Sequence, residues 1–123
     1  MSELGSEKLA GRHVLVVDDE DLIVAVMEEM LLDLGCGTIW TAGTIDDALK
    51  VLAEHRPHVA VLDVNLGGDS SFRLAQILAD QNIPFVFATG YGRQGVVEPW
   101  ASRPVIQKPF KLETLATVLG ALV

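Results

Sequence analysis

Residues 59–65, with the sequence Val-Ala-Val-Leu-Asp-Val-Asn, decide the fold. Residues 59–62 form a short, continuous apolar run that contains β-branched side chains and ends abruptly at Asp63. Such a run is typical of a strand that is buried on both faces, as in a parallel sheet. Asn65 and two glycines follow, so Asp63 is predicted to lie where the strand meets a loop. In open α/β sheets ligands bind at this carboxyl end, although an Asp there can also simply cap the loop.

Length and composition restrict the class of protein. The chain has 123 residues, enough for one domain with a single sizeable core. Its apolar residues occur in short blocks, none near the roughly 20 that a membrane span needs, and we expect no membrane partner. The net charge of -8 argues against nucleic acid as a partner. Because Cys36 is the only cysteine and residues 1–12 carry no apolar signal segment, a cytoplasmic location is expected.

Five predicted strands alternate with helical patterns along the chain. The predicted strands cover residues 13–17, 38–42, 59–63, 85–88 and 104–107. Apolar residues at helical spacing follow each strand, in the stretches 22–34, 44–56, 70–79, 93–103 and 112–122. The fourth of these, residues 93–103, is expected to be a weak or irregular helix because it contains glycine, proline and β-branched residues. Thr44 and either Ser70 or Ser71 match helix N-caps, and Gly35 matches a helix C-terminus.

This alternation predicts a parallel sheet with right-handed crossovers. The chain is too short for an eight-stranded barrel, so we expect an open, doubly wound, five-stranded α/β sheet with the strand order 2-1-3-4-5. Residues 1–12 are predicted to be a flexible N-terminal lead, and residues 13–123 to form the domain.

Four of the five predicted strands end in residues that can bind a phosphate or a metal ion: Asp18 and Asp19, Asp63, Thr89 and Lys108. In the predicted order the first and third strands are neighbours, so their three carboxylates share one crevice. Like charges this close raise one another's pKa unless a cation or Lys108 lies among them. A hard divalent ion held by a few carboxylates and a backbone carbonyl is typical of Mg²⁺. Each residue alone has an ordinary interpretation as a loop, cap or surface residue, but together they indicate a site for a phosphate or a metal ion.

The arrangement resembles the receiver domain of two-component response regulators over residues 13–123. An acid pair follows strand one, an Asp ends strand three, a Thr ends strand four, and Lys108-Pro109 follows strand five. Residues 84–91, Pro-Phe-Val-Phe-Ala-Thr-Gly-Tyr, are similar to a subgroup of single-domain receivers marked by Pro-Phe-x-Phe-Ala-Thr-Gly-Tyr. The resemblance implies the flavodoxin-like receiver fold and a cis peptide bond at Lys108–Pro109.

The resemblance also implies a role for each site residue. Asp63 would accept the phosphoryl group, Lys108 would pair with a phosphoryl oxygen, and Thr89 would donate a hydrogen bond to another. The implied cofactor is Mg²⁺, held by Asp19, Asp63 and the backbone carbonyl of Asn65, with Asp18 acting through water. The implied partners are a sensor histidine kinase or phosphotransfer protein and a downstream protein target. The chain would catalyse only its own phosphotransfer and dephosphorylation.

One position departs from the family pattern. Receivers usually have an aromatic residue three positions before the Lys, where this chain has Val105. The named subgroup also lacks this ring, which in other receivers turns inward when the Ser or Thr moves toward the phosphate. We therefore expect that coupling to be absent, and the loop around Tyr91 is the alternative moving element.

Other interpretations remain open. A metal-dependent phosphohydrolase would turn over a small phosphoester, and a pseudo-receiver would serve only as an interaction or dimerisation module. Residues 90–95 match G-x-G-x-x-G, but they follow the fourth strand rather than the first, which disfavours a dinucleotide site. His55 and His58 are separated by a proline that disfavours a shared metal. Because the chain stops soon after the last predicted helix, we expect no DNA-binding segment and output through protein contacts, or a phosphate shuttle or sink.

Overall fold

The protein is described from a computed structural model that covers residues 6–90, 100 and 103–123. The strands are β1 (Val14–Val17), β2 (Ile39–Ala42), β3 (Val59–Asp63), β4 (Asn65–Leu66), β5 (Asp69–Ser70), β6 (Phe85–Thr89) and β7 (Val105–Gln107). The helices are α1 (Ser6–Leu9), α2 (Asp21–Asp33), α3 (Ile45–Glu54), α4 (Phe72–Asp80) and α5 (Leu112–Gly120). In this part of the chain no helix is long and apolar enough to cross a membrane.

Five of these strands form one sheet in the order β2-β1-β3-β6-β7, and every pairing is parallel. The strands β4 and β5 form a separate antiparallel hairpin directly after β3. When the two hairpin strands are left out of the numbering, the sheet has the predicted order 2-1-3-4-5. The predicted open α/β fold is therefore confirmed.

The central strands are apolar throughout because both faces of the sheet are covered. On one face Val16 and Val61 belong to a core cluster that includes residues of α2 and α5. On the other face Leu15 and Leu62 pack in a second cluster with residues of α3 and α4. Since successive side chains of a strand point to opposite faces, each strand has to supply apolar residues to both clusters.

The predicted helix ends at Thr44 and Gly35 are confirmed, and the two serines predicted before α4 divide the role of a cap between them. Thr44 caps α3, where its Oγ1 accepts a hydrogen bond from the backbone N–H of Asp47 at 3.1 Å. Gly35 follows α2 with a φ of +86°, which favours glycine. Ser71 stands at the N-cap of α4, but its side chain makes no capping bond, and Ser70 Oγ instead accepts the N–H of Phe72 at 3.2 Å.

The N-terminal stretch differs from the expected loose lead. Residues 6–9 form α1, and Leu9 is fully buried in the core cluster that contains residues of α2 and α5. The backbone N–H of Gly11 also donates to the carbonyl of Gly35 at 2.8 Å. Burial of the Leu9 side chain and this backbone bond attach the segment to the domain, so the core begins before residue 13.

Part of one prediction falls outside the described residues. The weak helix predicted at residues 93–103 lies almost wholly there, as does Tyr91. Trp100 is described; it is buried and makes an edge-to-face contact with Phe85, with ring centroids 5.9 Å apart.

Candidate functional site

The parallel sheet brings Asp18, Asp63 and Lys108 to the same edge. Val17 pairs with Leu62 across β1 and β3, so the residues that follow them, Asp18 and Asp63, lie side by side. Lys108 directly follows β7, and its Nζ lies 2.7 Å from Asp18 Oδ2 and 3.4 Å from Asp63 Oδ2. Of the three carboxylates predicted to share one crevice, Asp18 and Asp63 therefore lie beside the Lys108 ammonium.

Burial makes this ion cluster sensitive to charge. The side chains of Asp18, Asp63 and Lys108 are only 1%, 11% and 12% exposed. Burial, followed by the negative charge of Asp18, raises the pKa of Asp63, while the charge of Lys108 and a hydrogen bond from the backbone of Asn65 oppose that rise. Burial lowers the pKa of Lys108, but its hydrogen bond to Asp18 and the charges of Asp18 and Asp63 outweigh that effect and raise it overall. The site therefore favours the charged form of Lys108, and it disfavours the ionised form of Asp63 relative to a free carboxyl group.

Backbone N–H groups orient the two buried carboxylates. Asp18 Oδ1 accepts the N–H of Glu20 at 2.9 Å, which places the start of α2 against this carboxylate. Asp63 Oδ1 accepts the N–H of Asn65 at a longer 3.4 Å. In each Asp one oxygen thus faces the backbone and the other faces Lys108.

Asp19 lies at the hairpin loop. Its Oδ2 accepts the backbone N–H of Gly67 at 2.9 Å, and Asn65 Oδ1 accepts the N–H of Gly68 at 3.0 Å. Both glycines have positive φ, +59° and +96°, which explains the glycine pair after β3. Asp19 therefore bonds to the hairpin, and the close group of carboxylates consists of Asp18, Glu20 and Asp63 without it. The metal-binding roles of Asp19 and Asn65 stay predictions.

Thr89 ends β6 and is buried at the same edge. Its carbonyl accepts the backbone N–H of Lys108 at 2.8 Å, so the main chains of these two predicted site residues adjoin. The Lys108–Pro109 peptide bond is cis, as predicted.

Glu20 also belongs to the site, although it was not among the predicted site residues. Its Oε1 lies 3.5 Å from Lys108 Nζ, and carboxylate oxygens of Asp18, Glu20 and Asp63 lie within 4.8 Å of one another. Hard carboxylate oxygens in such a cluster fit Mg²⁺. Its place in the acidic run at residues 18–21 was the only available signal.

The histidines do not form a metal site. His58 stacks on His13 with ring centroids 5.2 Å apart, and His55 stacks on Trp40 at 4.6 Å. Among the residues that the structure describes, Asp18, Glu20 and Asp63 form the only group of three or more His, Cys, Asp or Glu side chains close enough to share an ion.

The family model for the response regulator receiver domain matches residues 14–119. The chain belongs to this family. The match covers every strand of the main sheet and all the candidate site residues, which confirms the resemblance seen in the sequence motifs. Receivers are signalling domains rather than enzymes that act on separate substrates.

Known proteins of similar sequence agree with this family assignment. The polar-differentiation response regulator DivK of Brucella anthropi is 28% identical over 121 residues, covering 89% of this chain and 97% of DivK. The transcriptional regulatory protein PdtaR of Mycobacterium tuberculosis is 28% identical, and the chain spans only 53% of its length.

Solved structures extend the likeness to nearly the whole chain. SdrG from Sphingomonas melonis is 39% identical with a TM-score of 0.81, covering 99% of this chain and 98% of SdrG. A BeF3-activated conformation of SdrG, from Pseudomonas melonis, is 40% identical with a TM-score of 0.79, covering 93% of this chain and 98% of that one.

Proposed function

We propose that the chain accepts a phosphoryl group on Asp63, from a sensor histidine kinase or phosphotransfer protein, in a Mg²⁺-dependent reaction. It then signals through contacts with a downstream protein or serves as a phosphate shuttle or sink. The observation that carries this proposal is the Asp63 carboxylate beside Asp18 and the buried Lys108 ammonium, at a strand end of a receiver domain. A cytoplasmic location stays a prediction.

In the proposed reaction, an Asp63 oxygen forms a bond to phosphorus as the phosphorus–nitrogen bond of a phosphohistidine breaks. The imidazole leaves with the electron pair, and Asp63 becomes an acyl phosphate. The Lys108 ammonium pairs with one phosphoryl oxygen and the Thr89 hydroxyl donates to another. Catalysis consists mainly of positioning and charge stabilisation, and the later loss of phosphate is hydrolysis of the protein's own acyl phosphate.

The acidic cluster of Asp18, Glu20 and Asp63 supports Mg²⁺ as the cofactor. The proposed ligands are Asp19, Asp63 and the backbone carbonyl of Asn65, with Asp18 acting through water. When bound, the ion would neutralise charge on the phosphoryl oxygens. Since the pKa of Asp63 is raised by burial and by Asp18, this carboxylate has reason to accept a cation once it is ionised.

The outer face of α2 supports a protein as the phosphoryl donor. Leu22 and Val26 are exposed one turn apart near the start of α2, which begins directly after the acidic residues of the site. Exposed apolar side chains beside a reaction centre favour contact with another protein. The activated conformation of SdrG, a 40% identical relative, supports a switch in this chain as well.

The proposal is tested by intact mass spectrometry after incubation with a small acyl phosphate and Mg²⁺. We expect one phosphoryl adduct in the natural protein, none without Mg²⁺, and none in Asp63→Asn. Asp46→Asn, which removes an exposed acid from the first turn of α3, is the matched control and should keep the adduct. An adduct that persists in Asp63→Asn would contradict the assignment of the acceptor. Absence of any adduct would favour the pseudo-receiver, an interaction module without phosphotransfer.

A further inference from the structure

The Lys108 ammonium contacts three carboxylates, and the three contacts differ in strength. The contact to Asp18 is the shortest, 2.7 Å, between two side chains that are nearly buried. The contact to Glu20 is 3.5 Å long, and the Glu20 side chain is 62% exposed. Charge-assisted hydrogen bonds are strong when short and buried, whereas exposed ion pairs contribute little. Of the three contacts, the one to Glu20 is therefore the easiest to break.

An incoming phosphoryl group needs one of these contacts to be given up. A lysine ammonium has three N–H donors, and here three carboxylates lie within ion-pair distance of it. Asp18 is held at its other oxygen by the N–H of Glu20, and Asp63 is the acceptor itself. The donor freed for a phosphoryl oxygen is the one that faces Glu20.

We infer that Glu20 is a positioning residue that holds Lys108 at the mouth of the crevice before phosphorylation and competes with the phosphoryl oxygen for its ammonium. This inference rests on the proposed function and adds a restraint on the rate of phosphoryl uptake. An exposed ion pair corresponds to a change of about 1.5- to 5-fold in a rate constant. Removing Glu20 should therefore accelerate uptake by that factor.

The first experiment observes the Lys108 ammonium by nuclear magnetic resonance in the unphosphorylated, Mg²⁺-free protein. Glu20→Gln removes the charge, and Glu20→Asp keeps the charge but shortens the side chain. We expect both to shift the Lys108 Nζ signal and to speed the exchange of its protons with water. The control is Asp21→Asn, an adjacent exposed acid whose loss changes the net charge equally. An unchanged Lys108 signal in both Glu20 variants would overturn the inference.

The second experiment measures the rate of adduct formation from a small acyl phosphate at saturating Mg²⁺. Glu20→Gln should form the adduct about 1.5- to 5-fold faster than the natural protein. Asp21→Asn should form it at the rate of the natural protein, within error, at equal ionic strength. Equal acceleration in the two variants would assign the effect to net charge and overturn the competition for Lys108. Mg²⁺ affinity that collapses in Glu20→Gln with an unchanged Lys108 signal would make Glu20 a metal ligand instead. If no protein formed an adduct, the proposed function would fail, while the resonance result would still decide the Lys108–Glu20 contact.

Discussion

Replacing Lys108 by Met removes the only cation of the buried cluster while keeping most of the apolar stem of the side chain. Asp18 is then left with a 1% exposed carboxylate and no positive partner within the described site. Removing one member of a buried ion pair lowers the free energy of unfolding by about 3–5 kcal/mol. We expect a loss at the lower end, about 3 kcal/mol, because the Lys108 and Asp63 side chains are still 12% and 11% exposed and water can reach the site. That loss is a large part of the about 5–15 kcal/mol that stabilises a domain of this size.

The measurement is urea unfolding at pH 7.5 in the absence of divalent ions, for Lys108→Met and for Lys111→Met. Lys111 is exposed and makes no ion pair in the described structure, so its replacement should change stability by less than about 0.5 kcal/mol. The deficit of Lys108→Met should shrink as the pH falls through the raised pKa of Asp63, because a protonated Asp63 needs no cation, and it should also shrink when Mg²⁺ is added. A deficit equal to that of Lys111→Met would refute the electrostatic account of the site.

Three further outcomes test the fold around the site. The pKa of His58 is lowered by burial and by the charges of Arg12 and His13. Its contribution to stability is therefore present above pH 6.5 and is lost as the pH falls through the lowered pKa. A titration of His58 that gave a pKa at or above 6.5 would contradict this expectation. Thr44→Ala removes the cap of α3 and should lower the free energy of unfolding by about 1 kcal/mol, measured by urea unfolding, and no loss would argue against the cap. Ser71→Ala removes a buried hydroxyl that has no hydrogen-bond partner among the described residues, and it should leave stability unchanged or raise it by up to about 1 kcal/mol. A clear loss of stability would reveal a bond to that hydroxyl.

The main sheet was predictable because its signals are strong and local. The apolar run that ends at Asp63 predicts a strand buried on both faces, and its burial is complete in the structure. Helix α1 and the hairpin β4–β5 were not predicted. Neither segment has a periodic pattern long enough to identify, since α1 has four residues and each hairpin strand has two. Their structure comes from tertiary contacts such as the burial of Leu9, which sequence periodicity does not contain.

The site was predictable at the level of strand ends but not of side-chain contacts. The strand order alone places Asp18, Asp63 and Lys108 at one edge, so their meeting follows from the topology. The strand order does not determine which partner each residue of the acidic run contacts. Asp19 bonds to the hairpin at Gly67, whereas Glu20 contacts Lys108. That choice depends on how the first turn of α2 leaves the sheet, which no residue type in the run specifies.

The central claim, that Asp63 is the phosphoryl acceptor, is tested most directly by trapping the acyl phosphate. The protein is incubated with Mg²⁺ and a small acyl phosphate, reduced with borohydride, which converts a phosphorylated Asp to homoserine, and mapped by peptide mass spectrometry. We predict homoserine at position 63 and at no other Asp, and none when Mg²⁺ is left out. Homoserine at position 18 or 19 with an unmodified Asp63, or no homoserine at all, would contradict the account.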